Sequence, residues 1–146
     1  MGTRSTTSFY KRDHKHGTPQ HLLTYYRQYD GYPTYYGSQL AEFIDNCEIV
    51  NGFTTAMKGG THANGVGCLV AQILMYWKNN DGQYNTGLGG LYIQPESTKN
   101  GEAYHYDVVF DENNECSILV FRYGEPVGSF TPEELINNAV HIEAGE

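Results

Sequence analysis

Gly67-Cys68-Leu69-Val70-Ala71-Gln72-Ile73-Leu74-Met75-Tyr76-Trp77-Lys78 is the stretch on which the fold turns. Leu69, Val70, Ile73, Leu74 and Trp77 recur at helical spacing, and Met75 and Tyr76 widen the apolar face. A helix apolar on most sides must be enclosed by other elements, so this one is expected at the centre of the core. The apolar run from Cys68 to Trp77 is interrupted by Gln72 and is too short to span a bilayer.

Upstream, residues 51–67 are rich in Gly, Thr and Asn and read as a loop that delivers the helix. Ile49 and Val50 suit a short extended piece. A first helix is predicted over Tyr35 to Asn46, with Tyr36, Leu40, Phe43 and Ile44 on one face. Asp30-Gly31-Tyr32-Pro33 is turn chemistry. It ends a strand predicted over His21 to Tyr29, which forms a hairpin with an earlier strand over Ser5 to Lys11. Residues 11–20, with His14 and His16, read as the loop between them.

Downstream, residues 79–90 read as a loop and Leu91 to Gln94 as a short strand stopped by Pro95. Ala103 to Phe110 and Cys116 to Tyr123 make a hairpin around Asp111-Glu112-Asn113-Asn114-Glu115. Thr131, Pro132 and Glu134 form a capping-box start for a last helix, expected to end near Ala139 and to leave a frayed tail from His141. The order of elements lacks the alternation of a parallel sheet. It predicts one α+β domain over residues 1–146: an antiparallel sheet of about five strands, two main helices and a short C-terminal helix.

The 146 residues are 39% hydrophobic and include 13 Tyr, a side chain with an apolar ring and a polar tip that suits half-buried sites. A net charge of −8 argues against polymeric nucleic acid and against an anionic membrane surface as partners. It leaves room for a small anion held by one or two arginines. Cys47, Cys68 and Cys116 are odd in number and irregular in spacing, so no disulfide framework is expected. With no apolar run after Met1-Gly2-Thr3-Arg4-Ser5, no signal peptide is read, and the cytoplasm is the expected compartment. Gly2 with Thr6 matches a myristoylation pattern that is common by chance.

Three segments could carry chemistry. In residues 24–36, six tyrosines surround Arg27: flat rings can stack a base and a guanidinium can hold a phosphate. The alternative is a strand and turn whose tyrosines cover a thin core. In residues 61–68, Gly65 and Gly67 precede the central helix, and backbone N–H groups at such a start can cradle an anion. The alternative is a plain helix-entry turn. The spacing matches neither the dinucleotide fingerprint nor the P-loop, and no cofactor is expected. Cys68 in the first helical turn, with His105 or His62 as base, would suit a cysteine hydrolase; the alternative is a small buried hydrophobe. His14 and His16 lack metal-site spacing, so no metal is expected. Asp107, Asp111, Glu112 and Glu115 crowd one hairpin end and read as a solvated turn.

The opening Thr3-Arg4-Ser5, the block Tyr26-Arg27-Gln28-Tyr29-Asp30-Gly31-Tyr32-Pro33, the block from Asn64 to Gln72 and Gly90-Leu91-Tyr92-Ile93-Gln94-Pro95 together resemble a family of small proteins found largely in phages and other viruses. The resemblance runs to about Phe110. Its implied context is inhibition of bacterial immunity by sponges that sequester nucleotide second messengers, such as cyclic oligonucleotides or ADP-ribose derivatives, in the host cytoplasm. On that reading a small phosphorylated ligand is the partner. Arg27 and Arg4 pair with phosphate, the Asn64, Gly65 and Gly67 backbone cradles it, and Tyr26, Tyr29 and Tyr32 border the base. A homo-oligomer is expected, with sites between subunits. Two alternatives stand beside it: the hydrolase with Cys68 and His105, and a direct inhibitor that covers a host protein with its tyrosine-rich surface.

Overall fold

The computed structural model describes residues 2–13, 17–79, 90–96 and 102–145. His14 and His16, and most of the loop before Leu91, lie outside these residues. Strands β1 (Ser5–Lys11), β2 (Gln20–Arg27), β5 (Leu91–Gln94), β6 (Tyr104–Phe110), β7 (Cys116–Arg122) and β8 (Glu125–Phe130) form one sheet in the order β5-β2-β1-β6-β7-β8. Strands β3 (Glu48–Val50) and β4 (His62–Asn64) pair in parallel as a separate two-stranded sheet. The helices are α1 (Ser38–Asp45), α2 (Gly65–Asn79) and α3 (Pro132–Ala144), with a π-helical turn at Pro33–Gly37 before α1.

The α+β class agrees with the sequence, but the sheet is mixed and six-stranded. β1 runs antiparallel to β2 and parallel to β6. Alternation along a strand marks its faces and says nothing of its neighbour's direction, so this pairing was not readable. β8 was missed because Gly124, Pro126 and Gly128 interrupt its pattern. β4 lies inside the presumed loop of residues 51–67. The C-terminal helix is also longer than expected. It continues past Ala139 to Ala144, buries Ile142 and ends at Gly145 in the left-handed conformation.

Alternation gives the sheet two unlike faces. One packs on the helices through Phe9, Tyr25, Tyr106, Val108 and Val120, against Tyr36, Leu40, Leu69, Ile73 and Trp77. Tyr36 is the hub: its ring meets those of Tyr25, Trp77 and Tyr106 edge-on. Its hydroxyl shares hydrogen bonds with Thr7 Oγ1 at 2.7 Å and Tyr25 OH at 2.5 Å. Gly37 next to it leaves room for Tyr106, whose hydroxyl would lie 3.0 Å from a Cβ there. The other face carries buried polar groups. Thr6 Oγ1 lies 2.6 Å from His105 Nδ1, His105 Nε2 lies 2.7 Å from Asp107 Oδ1, and Ser8 and Thr24 share a 2.7 Å bond.

Candidate functional site

At one end of the sheet, five chain segments converge on a cleft of about 490 Å³. Gly2, Thr3 and Arg4 lead into β1, Tyr32 precedes the π-helical turn, Ala103 and Tyr104 open β6, Arg122 and Tyr123 close β7, and Glu143 comes from the last turn of α3. Backbone bonds hold them in place: Gly31 N donates to Thr3 O, Tyr104 N to Arg4 O and Tyr123 N to Ala103 O. Below them Tyr106 OH donates to Gly31 O at 2.8 Å. Glu143 Oε1 accepts from Thr34 N and Thr34 Oγ1 at 3.0 and 2.8 Å, which fixes the end of α3 against the turn.

The cleft's electrostatics suit an anion. Its lining residues include two arginines against one glutamate, a local positive excess on a chain of net charge −8. Arg122 lies beside the C-cap of α3, since a Cβ on Gly145 would meet its Nη1 at 2.9 Å. The partial negative charge of that helix end steadies the guanidinium. Burial raises the pKa of Tyr104, with Arg122 lowering it and Glu143 raising it. Tyr32 is raised by burial, then by Asp30 and Glu143. Both phenols therefore stay protonated and can donate to an oxyanion.

Two further clefts have comparable volume, about 490 and 440 Å³. Asp45, Asp111 and Glu115 line the first and Glu42 the second, with no Lys or Arg among the described lining residues of either. Both would repel an anion, so size does not separate the three and charge does.

The residues singled out in the sequence are distributed unevenly. Arg4 and Tyr32 share the cleft. Arg27 does not reach it: only 2% exposed, its guanidinium lies 5.0 Å from the Tyr36 ring centroid in the core. Tyr26 points to the other face of β2 and pairs with Tyr92, the centroids 6.2 Å apart. Tyr29 packs where Gly2 and Gly90 leave room for its ring. Asn64 Oδ1 accepts from Gly52 N, Gly65 has φ +85° at the start of α2, and Gly67 is exposed. Tyr36, which lies under Arg27, touches Trp77 near the far end of α2. Twelve residues of helix put Gly65 about 18 Å from that end, so Arg27 and the glycine turn do not make one site.

Cys68 and His105 are not brought together either. Cys68 Sγ accepts from Gln72 Nε2 at 3.3 Å, while both ring nitrogens of His105 are engaged by Thr6 and Asp107. His62 Nδ1 meets Thr61 Oγ1 at 3.0 Å, and its Nε2 lies 3.8 Å from Glu48 Oε2. All three cysteines are free thiols. Asp111 caps its own turn by accepting from Asn113 N and Glu115 N, which fits the solvated-turn reading for that residue. Asp107 departs from it: it lies within β6, is buried and meets His105, because strand alternation turns it onto the polar face of the sheet. Among the described residues no cluster of three or more His, Cys, Asp or Glu could hold a metal ion, and no helix is long and apolar enough to cross a membrane.

Tyr104, Arg122, Tyr123 and Glu143 were not anticipated. One signal was legible: Tyr123-Gly124 separates two extended segments by two residues, a hairpin spacing that places Arg122 and Tyr123 at an apex. Leu135, Ala139 and Ile142 also keep helical spacing up to Glu143. No family model, curated protein or solved structure matches this chain.

Proposed function

We propose that the protein binds a small phosphorylated ligand in the Arg4–Arg122 cleft and holds it without converting it. The observation that carries this reading is the meeting of two arginines, from the two ends of the chain, in one cleft walled by Tyr32, Tyr104 and Tyr123. A guanidinium group matches phosphate geometry, and a volume near 490 Å³ falls within the usual range for small-molecule sites. The ligand class we favour is a nucleotide-derived signal, a cyclic oligonucleotide or an ADP-ribose derivative. The protein would then act as a sponge, and its phage context rests on the resemblance in its sequence. Sequestration is favoured over hydrolysis because, among the described residues, no histidine shares a hydrogen bond with Cys68. A homo-oligomer belongs to the same proposal. Val140 and Ile136 are exposed on the helix that supplies Glu143, and light scattering in solution tests for a subunit contact there.

A thermal-shift panel of nucleotides, cyclic di- and trinucleotides and ADP-ribose derivatives tests the reading. A ligand at a hundred times its Kd adds about 2.7 kcal/mol, enough for several degrees. A clear shift with one class, and recovery of that ligand unchanged, is the expected result. No shift from any member overturns the proposal and favours a protein partner.

A further inference from the structure

The hairpin between β7 and β8 is closed by Tyr123 and Gly124, with Arg122 and Glu125 paired across it. Both central residues have positive φ, 48° at Tyr123 and 83° at Gly124, as a two-residue type I′ turn requires. Such turns favour Asn-Gly or Asp-Gly, because a bulky side chain crowds its own carbonyl in the left-handed region. Among the described residues the other non-glycine positions with positive φ are Asp30 and Asn114, both of types that tolerate it. Tyr123 is the outlier.

Its ring does not repay that cost by burial, since 70% of the residue is exposed. It stands instead at the rim of the cleft, one residue after Arg122 and close enough to Tyr104 to raise that phenol's pKa. Tyr123 N donates to Ala103 O at 3.0 Å, which ties the base of the side chain to the start of β6. A large flat ring is thus held in a disfavoured backbone conformation, exposed, in a cleft that two arginines line. Strain kept at one position and unrewarded by packing is a mark of function.

We propose that Tyr123 is a stacking platform for a nucleobase whose phosphate lies on Arg4 and Arg122. This deepens the ligand-binding reading and rests on it. It narrows the ligand to a flat heterocycle linked to phosphate, and it disfavours sugar phosphates and inorganic polyphosphates. Stacking of one base on an aromatic side chain sustains affinity by about tenfold or more.

The test compares wild type with Tyr123→Asn and Tyr123→Phe, by calorimetric titration with whichever nucleotide of the panel gives the largest thermal shift. The expected result has three parts. Tyr123→Asn weakens that nucleotide about tenfold or more, Tyr123→Phe binds within about twofold of wild type, and unliganded Tyr123→Asn melts about 3 °C higher because Asn suits the turn. Wild-type affinity in Tyr123→Asn, or a lower melting point without ligand, overturns the role of Tyr123 and leaves the arginine cleft standing. Failure of every nucleotide to bind wild type overturns both.

Discussion

Two groups of tyrosines do opposite work in this protein. Tyr25, Tyr36 and Tyr106 are wholly buried between sheet and helices, and their hydroxyls are used up on one another, on Thr7 and on the Gly31 carbonyl. Tyr32, Tyr104 and Tyr123 wall a cleft that also holds Arg4 and Arg122. The arginines divide in the same way, with Arg27 over the Tyr36 ring in the core and the other two lining the cleft. A tyrosine beside an arginine in the sequence is therefore no guide to a site. What matters is whether the polar tip is already satisfied inside the molecule.

The comparison breaks most severely at Tyr36. Tyr36→Ala removes the ring shared by Tyr25, Tyr106 and Trp77, and should cost about 3–5 kcal/mol in chemical denaturation. Tyr36→Phe keeps the ring but strands the hydroxyls of Thr7 and Tyr25, for about 1–3 kcal/mol. Equal stability of Tyr36→Phe and wild type would show that the hydroxyl network adds nothing.

Alkali sharpens the same contrast. Burial pushes the Tyr36 phenol up to about 12, against weaker lowering by Thr7, Tyr25 and Arg27, and drives Tyr25 and Tyr106 well above the ordinary value. The folded chain then holds these protons more tightly than the unfolded chain, whose tyrosines ionise near 10. Their contribution to stability is complete below about pH 10 and is lost as pH rises toward 12. Tyrosinate absorbance of the core group should appear together with the loss of near-ultraviolet circular dichroism. Ionisation of these residues in a still-folded protein would contradict the account.

At the cleft the expectation reverses. Arg122→Ala should weaken the bound phosphorylated ligand by about tenfold or more, since a charge-assisted bond is worth about 1.5–3 kcal/mol. Its melting point without ligand should stay close to that of wild type. The smallest effect lies away from both groups. Thr131→Ala breaks the capping box with Glu134 and should cost about 1 kcal/mol without altering affinity.

Much of the secondary structure was legible, because periodicity and capping are local. β1 falls where alternation put it, β5 ends before Pro95 as read, and Thr131 and Glu134 start α3 as their spacing implied. The parallel β1–β6 pairing depends on partners far apart in sequence, and no local pattern records direction. In the cleft, Tyr32 belongs to the tyrosine-rich segment and Arg4 entered with the resemblance; both line it. Arg27 was misplaced because odd positions of β2 face the helices, a parity that alternation alone could not assign to core or solvent. Arg122 and Tyr123 were missed with β8, whose Pro126 and Gly128 break the alternation that would have marked the second arm of their hairpin.

The central claim is that a phosphorylated ligand occupies the Arg4–Arg122 cleft. Amide chemical-shift mapping of the labelled protein, titrated with the ligand that gives the largest thermal shift, tests it most directly. The account predicts that the largest perturbations fall on Gly2 to Arg4, Tyr32, Ala103, Tyr104, Arg122 to Gly124 and Glu143. Perturbations centred instead on Asn64 to Cys68 at the start of α2, with the cleft amides unmoved, would contradict it.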